Sequence, residues 1–194
     1  MADGIKPDQR YDHEFRNEYQ LSTKTENDDA GRYTLHGYLY GDCGVLSMKL
    51  MKAGTSDAVI LVAISKHAFD SDVEVGSPSA GGPPGYKSTP FHMKMARMGN
   101  LYKLVDDHGL IVGGAVLFPE QDRLNVGRIF VSPEHFHKGY GIFMMESIES
   151  MFSDAKELVL DTPIWNRRTN AFYTKLGYTE VRRDREFIYY SKKR

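Results

Sequence analysis

From Leu46 the chain alternates apolar and polar positions through LSMKLMKA, the period-two pattern of a half-buried strand. It then passes into SDAVILVAISKHAF, whose apolar spacing is helical, with Ser56 and Asp57 as candidate N-caps. Residues 71–90 break this rhythm. Proline and glycine fill every position from Gly81 to Gly85, which excludes regular structure and implies a surface loop, either a binding loop or an inert insert. A short helix over Pro90–Met98 leads into LYKLVDD, LIVGGAVLF and RLNVGRIFV, three strands with short links that make an antiparallel meander. A helix follows over about Gly139–Phe152, with Ile142, Met145, Ile148 and Phe152 on one face. ELVLDTP reads as a strand, NRRTNAFYTKLGY as a helix ending at Gly177, and TEVRR and EFIYYSK as two strands around Asp184. The order β-α-α-β-β-β-α-β-α-β-β implies an α+β or α/β sheet with helices on both faces, not a bundle or a sandwich.

The first 44 residues have a different texture. They hold nine acids and five bases, so the overall net charge of −1 averages an acidic leader of −4 and a remainder of +3. TKTENDDAG reads as solvated loop, the first thirty residues are expected to be weakly ordered, and RYTLHGYLY suggests a short strand or a hairpin around Gly37. A length of 194 residues fits one domain plus an appendage: residues 1–44 as a partly disordered acidic extension and 45–194 as the folded unit.

Composition narrows the function classes. With 41% hydrophobic residues the chain can bury a core, and its charge balance offers no global field for nucleic acid or an anionic membrane. The longest apolar run, Ala58–Ile64, is far shorter than the roughly 20 residues that span a bilayer, and the N-terminus has no signal-like apolar stretch. A single cysteine, Cys43, supports neither an internal disulfide nor a zinc site, so a reducing cytoplasm without a metal is expected.

Chemistry concentrates in RIFVSPEHFHKGYGIFMMESIE, where a strand ends at Val131 and Gly139 and Gly141 open a helix. The free N–H groups and dipole of a first helical turn hold phosphate oxygens, and glycine lets a diphosphate come close. No Lys-Ser/Thr follows these glycines as a P-loop requires, and Met144 stands where a dinucleotide fingerprint has its third glycine. Downstream, Asn166, Asn170 and Tyr173 share one helix face at spacings of four and three.

PEHFHKGYGIFMMESIE followed by N-x6-Tyr-x3-Gly-Tyr resembles the GNAT superfamily of acyl-CoA-dependent N-acetyltransferases. The resemblance covers about Lys49–Ser191 and implies a mixed, mostly antiparallel sheet of six or seven strands with helices on both faces. It also implies an N-acetyltransferase that moves an acetyl group from acetyl-CoA directly to a primary amine of a small molecule or peptide. The backbone at Ile129 and Val131 would contact the acetyl carbonyl, and His137, Lys138, Gly139, Tyr140 and Gly141 would cradle the diphosphate. Asn166 matches the asparagine at the pantetheine arm, and Tyr173 the tyrosine near the sulfur, where a phenol can protonate a leaving thiolate. Phe136 departs from the family's Gln or Arg, which removes one polar contact.

The same resemblance makes Tyr86, Phe91 and Asp161 candidate acceptor-binding residues and a homodimer plausible. The family glutamate that serves as general base has no counterpart after Asp122 in RLNVGRIFV, which leaves His108, Asp161, His135 and Glu134 as alternatives. Arg167, Arg168, Arg182, Arg183 and Arg185 are candidates for the ribose phosphate. Cys43 lies outside the matching segment, so covalent catalysis through it is not expected. The alternative function is a catalytically silent acyl-CoA sensor whose acidic leader binds a protein partner.

Overall fold

The computed structural model describes residues 20–27, 33–41 and 44–194, with side chains from residue 47 onward. Its strands are β1 (Gln20–Asn27), β2 (Tyr33–Gly41), β3 (Gly44–Lys52), β4 (Leu101–Val105), β5 (Ile111–Pro119), β6 (Arg123–Val131), β7 (Glu157–Pro163), β8 (Thr179–Arg183) and β9 (Phe187–Lys193). They form one sheet in the order β1-β2-β3-β4-β5-β6-β7-β9-β8, antiparallel at every junction except the parallel β6–β7 pair. The seven strands β3–β9 are those expected from the alternation, and β1 and β2 extend the sheet at one edge.

Four helices cover the sheet: α1 (Ala58–Asp70), α2 (Thr89–Arg97), α3 (Tyr140–Met151) and α4 (Arg167–Lys175). On one face Phe143, Met144 and Ile148 of α3 and Tyr173 of α4 pack with Leu124, Val126 and Leu158. On the other, Leu61 and Ala68 of α1 and Met95 of α2 pack with Leu101, Val116 and Phe130. The apolar residues that give α1 and α3 their periodicity are therefore the ones that bury two separate cores.

Some local expectations give way to tertiary contacts. Thr23–Asn27, read as solvated loop, pairs with Tyr33–Gly37 as part of β1, and of the strand or hairpin expected around Gly37 the strand is found, because β2 runs unbroken between β1 and β3. Backbone pairing with a neighbour supplies the order that the local pattern does not show. Residues 71–90 are not wholly irregular, since Ser71–Val75 make a 3-10 turn whose Asp72 accepts hydrogen bonds from Asn166 and Arg168. Asp57 is the N-cap residue of α1, as expected, but its side chain does not bond the first turn; it accepts the Gly54 N–H at 2.8 Å and pairs with Lys103 at 2.9 Å. Cys43 lies outside the described residues.

Strand β6 is irregular toward both of its neighbours. It pairs with β7 only across Arg123–Asn125 and Glu157–Val159. Against β5, Val116 faces Arg128 and Leu117 faces Val126, so Gly127 is an extra residue in the strand. Such a bulge bends its strand, and β7 meanwhile follows β9 as far as Pro163 opposite Phe187. The two parallel strands therefore diverge.

Phe143 is fully buried at the centre of the α3 face, so Phe143→Ala should cost about 3–5 kcal/mol of stability. Urea denaturation would show this as a lower midpoint with an unchanged slope.

Candidate active site

The opening between β6 and β7 exposes backbone of a defined polarity. The Ser132 N–H donates to Val112 O of β5 at 2.8 Å, so Phe130, two residues earlier, also turns its N–H and C=O toward β5. Ile129 and Val131 must then turn theirs away from β5, into the space that β7 has left. Their side chains differ in setting: Val131 belongs to the α3-side core and Ile129 packs against its margin.

Beyond Val131 the chain makes a 3-10 turn at Pro133–His135 and reaches α3 through two left-handed residues, His137 at φ 60° and Gly139 at φ 83°. Gly139 is the N-cap, and its carbonyl accepts the Phe143 N–H at 3.0 Å, the first bond of the helix. The N–H groups of the first turn have no partner within the helix itself. His137 and Lys138 are exposed, while Tyr140 is buried with its ring 5.0 Å from that of His135. A side chain at Gly141 would make ordinary contact with Phe172 of α4, its Cβ 3.5 Å from the ring. The turn thus presents backbone donors with little side-chain cover, the arrangement that holds an anion.

On α4, Tyr173 is buried among the rings of Phe172, Tyr178 and Tyr190 at 5.2, 5.9 and 6.2 Å. Burial, reinforced by the negative charge of Asp161 on β7, pushes its phenol pKa well above the ordinary value. Asn166 caps the helix by accepting the Thr169 N–H at 3.1 Å and donates through Nδ2 to Asp72 at 3.1 Å. Asn170 donates to the carbonyls of Pro163, Ile164 and Asn166 and accepts from the Tyr190 hydroxyl at 3.1 Å. The three residues share a face as their spacing predicts, but the two asparagines hold the β7–α4 connection in shape.

The sequence from residue 99 to residue 180 matches the family profile described as the acetyltransferase (GNAT) domain. That span, somewhat under half of the chain, is similar to a GNAT acetyltransferase domain. The chain's fold is similar to that of the PaiA N-acetyltransferase of Thermoplasma acidophilum, solved in complex with coenzyme A, with a TM-score of 0.66 and 15% identity over 76% of this chain and 99% of that one. A GNAT-family acetyltransferase from Streptococcus agalactiae also superposes with a TM-score of 0.66, at 16% identity over 76% of this chain and 95% of the other. An acetyltransferase from Thermus thermophilus gives 0.62 and 14%, over 76% and 97%. No curated protein matches the sequence.

The fold brings together a cluster that linear spacing could not reveal. Arg168, at the start of α4, pairs with Asp72 at 2.5 Å and lays its guanidinium 4.3 Å from the centroid of the Phe136 ring. The guanidinium thus stacks on the residue that replaces the family's Gln or Arg, with its charge already paired to Asp72. Burial pushes the Asp72 carboxyl pKa up and Arg168 pulls it down; the net direction is up. Among the other arginine candidates, Arg182 stacks on Tyr189 at 3.7 Å and Arg183 pairs with Glu180 at 2.8 Å.

The candidate acceptor wall is packed, with three side chains tying it down. Tyr86 donates its hydroxyl to Asp70 at 3.0 Å and meets Phe69 edge-on. Gly85 takes φ 84° against Phe91, and Arg128 donates from Nη2 to the Pro84 carbonyl at 3.0 Å. Of the candidate bases, Glu134 accepts from the Ser132 hydroxyl, which lowers its pKa and makes it a weaker proton acceptor. His108 is exposed in the β4–β5 turn, 3.6 Å from Asp107. Desolvation and the nearby Asp184 raise the pKa of Asp161. Among the described residues, no group of three or more His, Cys, Asp or Glu side chains could hold a metal ion.

The glycine turn yields a paired test. Gly139→Ala forces a side chain into the left-handed region and should cost about 1–2 kcal/mol, whereas Gly141→Ala meets only ordinary contacts and should stay near wild type. Urea denaturation of the two variants side by side would read the difference.

Proposed function

We propose that the protein is an N-acetyltransferase that passes the acetyl group of acetyl-CoA directly to a primary amine of a small molecule or peptide. The observation that carries this reading is the opening between β6 and β7, with unpaired strand backbone on one side and a glycine-led helix N-terminus at its end. In this reading, Ile129 and Val131 offer backbone N–H groups to the acetyl carbonyl. The turn from His137 through Lys138, Gly139 and Tyr140 to Gly141 offers its N–H groups to the diphosphate. Asn166 serves the pantetheine side by fixing the first turn of α4.

Acetyl-CoA supplies an activated thioester whose sulfur must leave as a thiolate. Tyr173 is suited to donate a hydrogen bond to that sulfur, because its raised pKa keeps the phenol protonated. The same shift makes complete proton transfer uphill toward a thiolate whose conjugate acid has a pKa of about 8.5, by analogy with cysteine. Its contribution is then stabilisation of developing charge. Tyr86 and Phe91 shape the acceptor wall, and Asp161 lies on the β7 side of the opening.

The transferase unit in this reading is residues 45–194, with 1–44 as an acidic appendage. The superposed acetyltransferases cover about three-quarters of this chain and nearly all of their own, which fits a unit of that length. A single cysteine and the lack of any membrane-spanning helix among the described residues are compatible with the cytoplasm.

Thiol release from acetyl-CoA over a panel of amines tests the activity. Turnover is expected, and tight acetyl-CoA binding without turnover on any acceptor would support the silent sensor instead. Tyr173→Phe should lower kcat roughly 100-fold while leaving the acetyl-CoA Kd unchanged. An unaltered rate would remove Tyr173 from the mechanism. A phenol with a raised pKa keeps its proton to higher pH, so kcat should show no alkaline fall from this group up to about pH 10.

A further inference from the structure

Arg128 stands on β6 one residue beyond the Gly127 bulge, where the strand begins to part from β7. Side chains alternate along a strand, so it projects to the same side as Phe130, toward α1 and α2. Its neighbour Ile129 turns backbone into the opening. Arg128 therefore borders the reacting end of the cleft on the face opposite α3.

The guanidinium is held and yet unsatisfied. Nη2 donates to the Pro84 carbonyl at 3.0 Å, and Cζ lies 4.7 Å from the centroid of the Phe91 ring. Nε and Nη1 are buried without any hydrogen-bond partner, and those two nitrogens carry three of the five N–H bonds of an arginine. Among the described residues no carboxylate pairs with it. A half-buried cation without a counter-ion is costly, and buried donors are bonded in the great majority of cases, so the two unpartnered nitrogens call for a partner. Arg168 shows the contrasting case: its charge is already taken by Asp72.

Beside it, His92 on α2 is fully buried, with Nδ1 at 3.0 Å from the Ser88 carbonyl. A carbonyl can only accept, so Nδ1 carries the proton and Nε2 keeps its lone pair. Nε2 has no partner either. Burial, with Arg128 nearby, lowers the His92 pKa and keeps the ring neutral. Both side chains pack on Phe91, so one aromatic group carries a set of cationic donors and a neutral acceptor.

We propose that Arg128 anchors a carboxylate on the acceptor, so that the favoured amine is an amino acid or another amine bearing an acid group. This rests on the acetyl-transfer reading above and adds the acceptor class to it. His92 Nε2 then accepts a hydrogen bond from a second polar group of the same molecule. The Gly81–Ser88 loop lies over the guanidinium, so binding requires it to yield, exchanging a neutral carbonyl partner for an anion. A guanidinium–carboxylate pair, charged on both sides and able to be bidentate, is stronger than the bond to a neutral carbonyl.

The test compares amino acids with their own carboxamides as acceptors. In the wild type, kcat/KM for the acid should exceed that for the amide by roughly 10- to 100-fold, the worth of hydrogen bonds to a charged group. Arg128→Gln should bring this ratio close to unity through KM, with the acetyl-CoA Kd unchanged, and Arg128→Lys should retain part of it. Equal use of acids and amides by the wild type would overturn the proposal and leave acetyl transfer standing. A weakened acetyl-CoA Kd in Arg128→Gln would assign the anion to a cofactor phosphate and overturn it as well. Should no acceptor turn over, the transfer reading itself fails; calorimetry of the same acids and amides on the CoA-loaded wild type then decides, equal affinities overturning the anchor and preference for the acids supporting it.

Discussion

Two parallel strands that stay together for only three residue pairs govern this molecule. β6 is committed to β5 along its whole length and β7 to β9, so once the Gly127 bulge turns β6 aside nothing draws the two together again. Leaving strand backbone unpaired costs about 1–3 kcal/mol for each group kept from water. The cores on the two faces of the sheet supply the stability that allows it. Phe143 and Met144 press one face and Leu61 the other, all fully buried, and they hold the diverging strands from both sides.

Electrostatics follows the same division. The chain as a whole is almost neutral, which by itself says nothing about a polyanionic ligand. The folded arrangement separates its arginines into different states: Arg168 is neutralised by Asp72 and stacked on Phe136, while Arg128 keeps its charge without a carboxylate. Charge that is already paired fixes structure, joining the turn after α1 to the start of α4. Charge left unpaired in a wall is available for recognition.

Much of this was legible in the sequence because it is written locally. The strand that ends at Val131, the glycines that open α3 and the cap and aromatic spacing of α4 each lie within a dozen residues, and their geometry follows from backbone rules. The order of β1 was not legible, since Thr23–Asn27 has no apolar pattern and gains its structure from pairing with β2. The Asp72–Arg168 pair joins residues ninety-six apart, and Arg128 meets Pro84 forty-four residues earlier. In RLNVGRIFV the absence of an acid was visible, but the state of its arginine was not, because an arginine reads the same whether it is solvated, paired or buried. A buried charge becomes a signal only when the absence of its partner can be seen.

The two sides of the opening use different chemistry, and this bears on how they diverge. In the proposed reading the donors on the α3 side are main-chain N–H groups positioned by Gly139 and by strand alternation, so the side chains there can vary, as Phe136 does, at modest cost. That accords with a fold held in common, at about 15% identity, with the superposed acetyltransferases. On the α1 and α2 side the polar contacts come from side chains: Tyr86 on Asp70, Arg128 on Pro84, His92 on Ser88. The matched family profile runs from residue 99 to residue 180 and stops short of α1, the loop and α2. Within that span Asn166 and Arg168 reach out to Asp72 after α1, and Arg128 reaches the Pro84 carbonyl of the loop. Arg128 therefore couples the bulge that opens the cleft to the wall where an acceptor would be chosen.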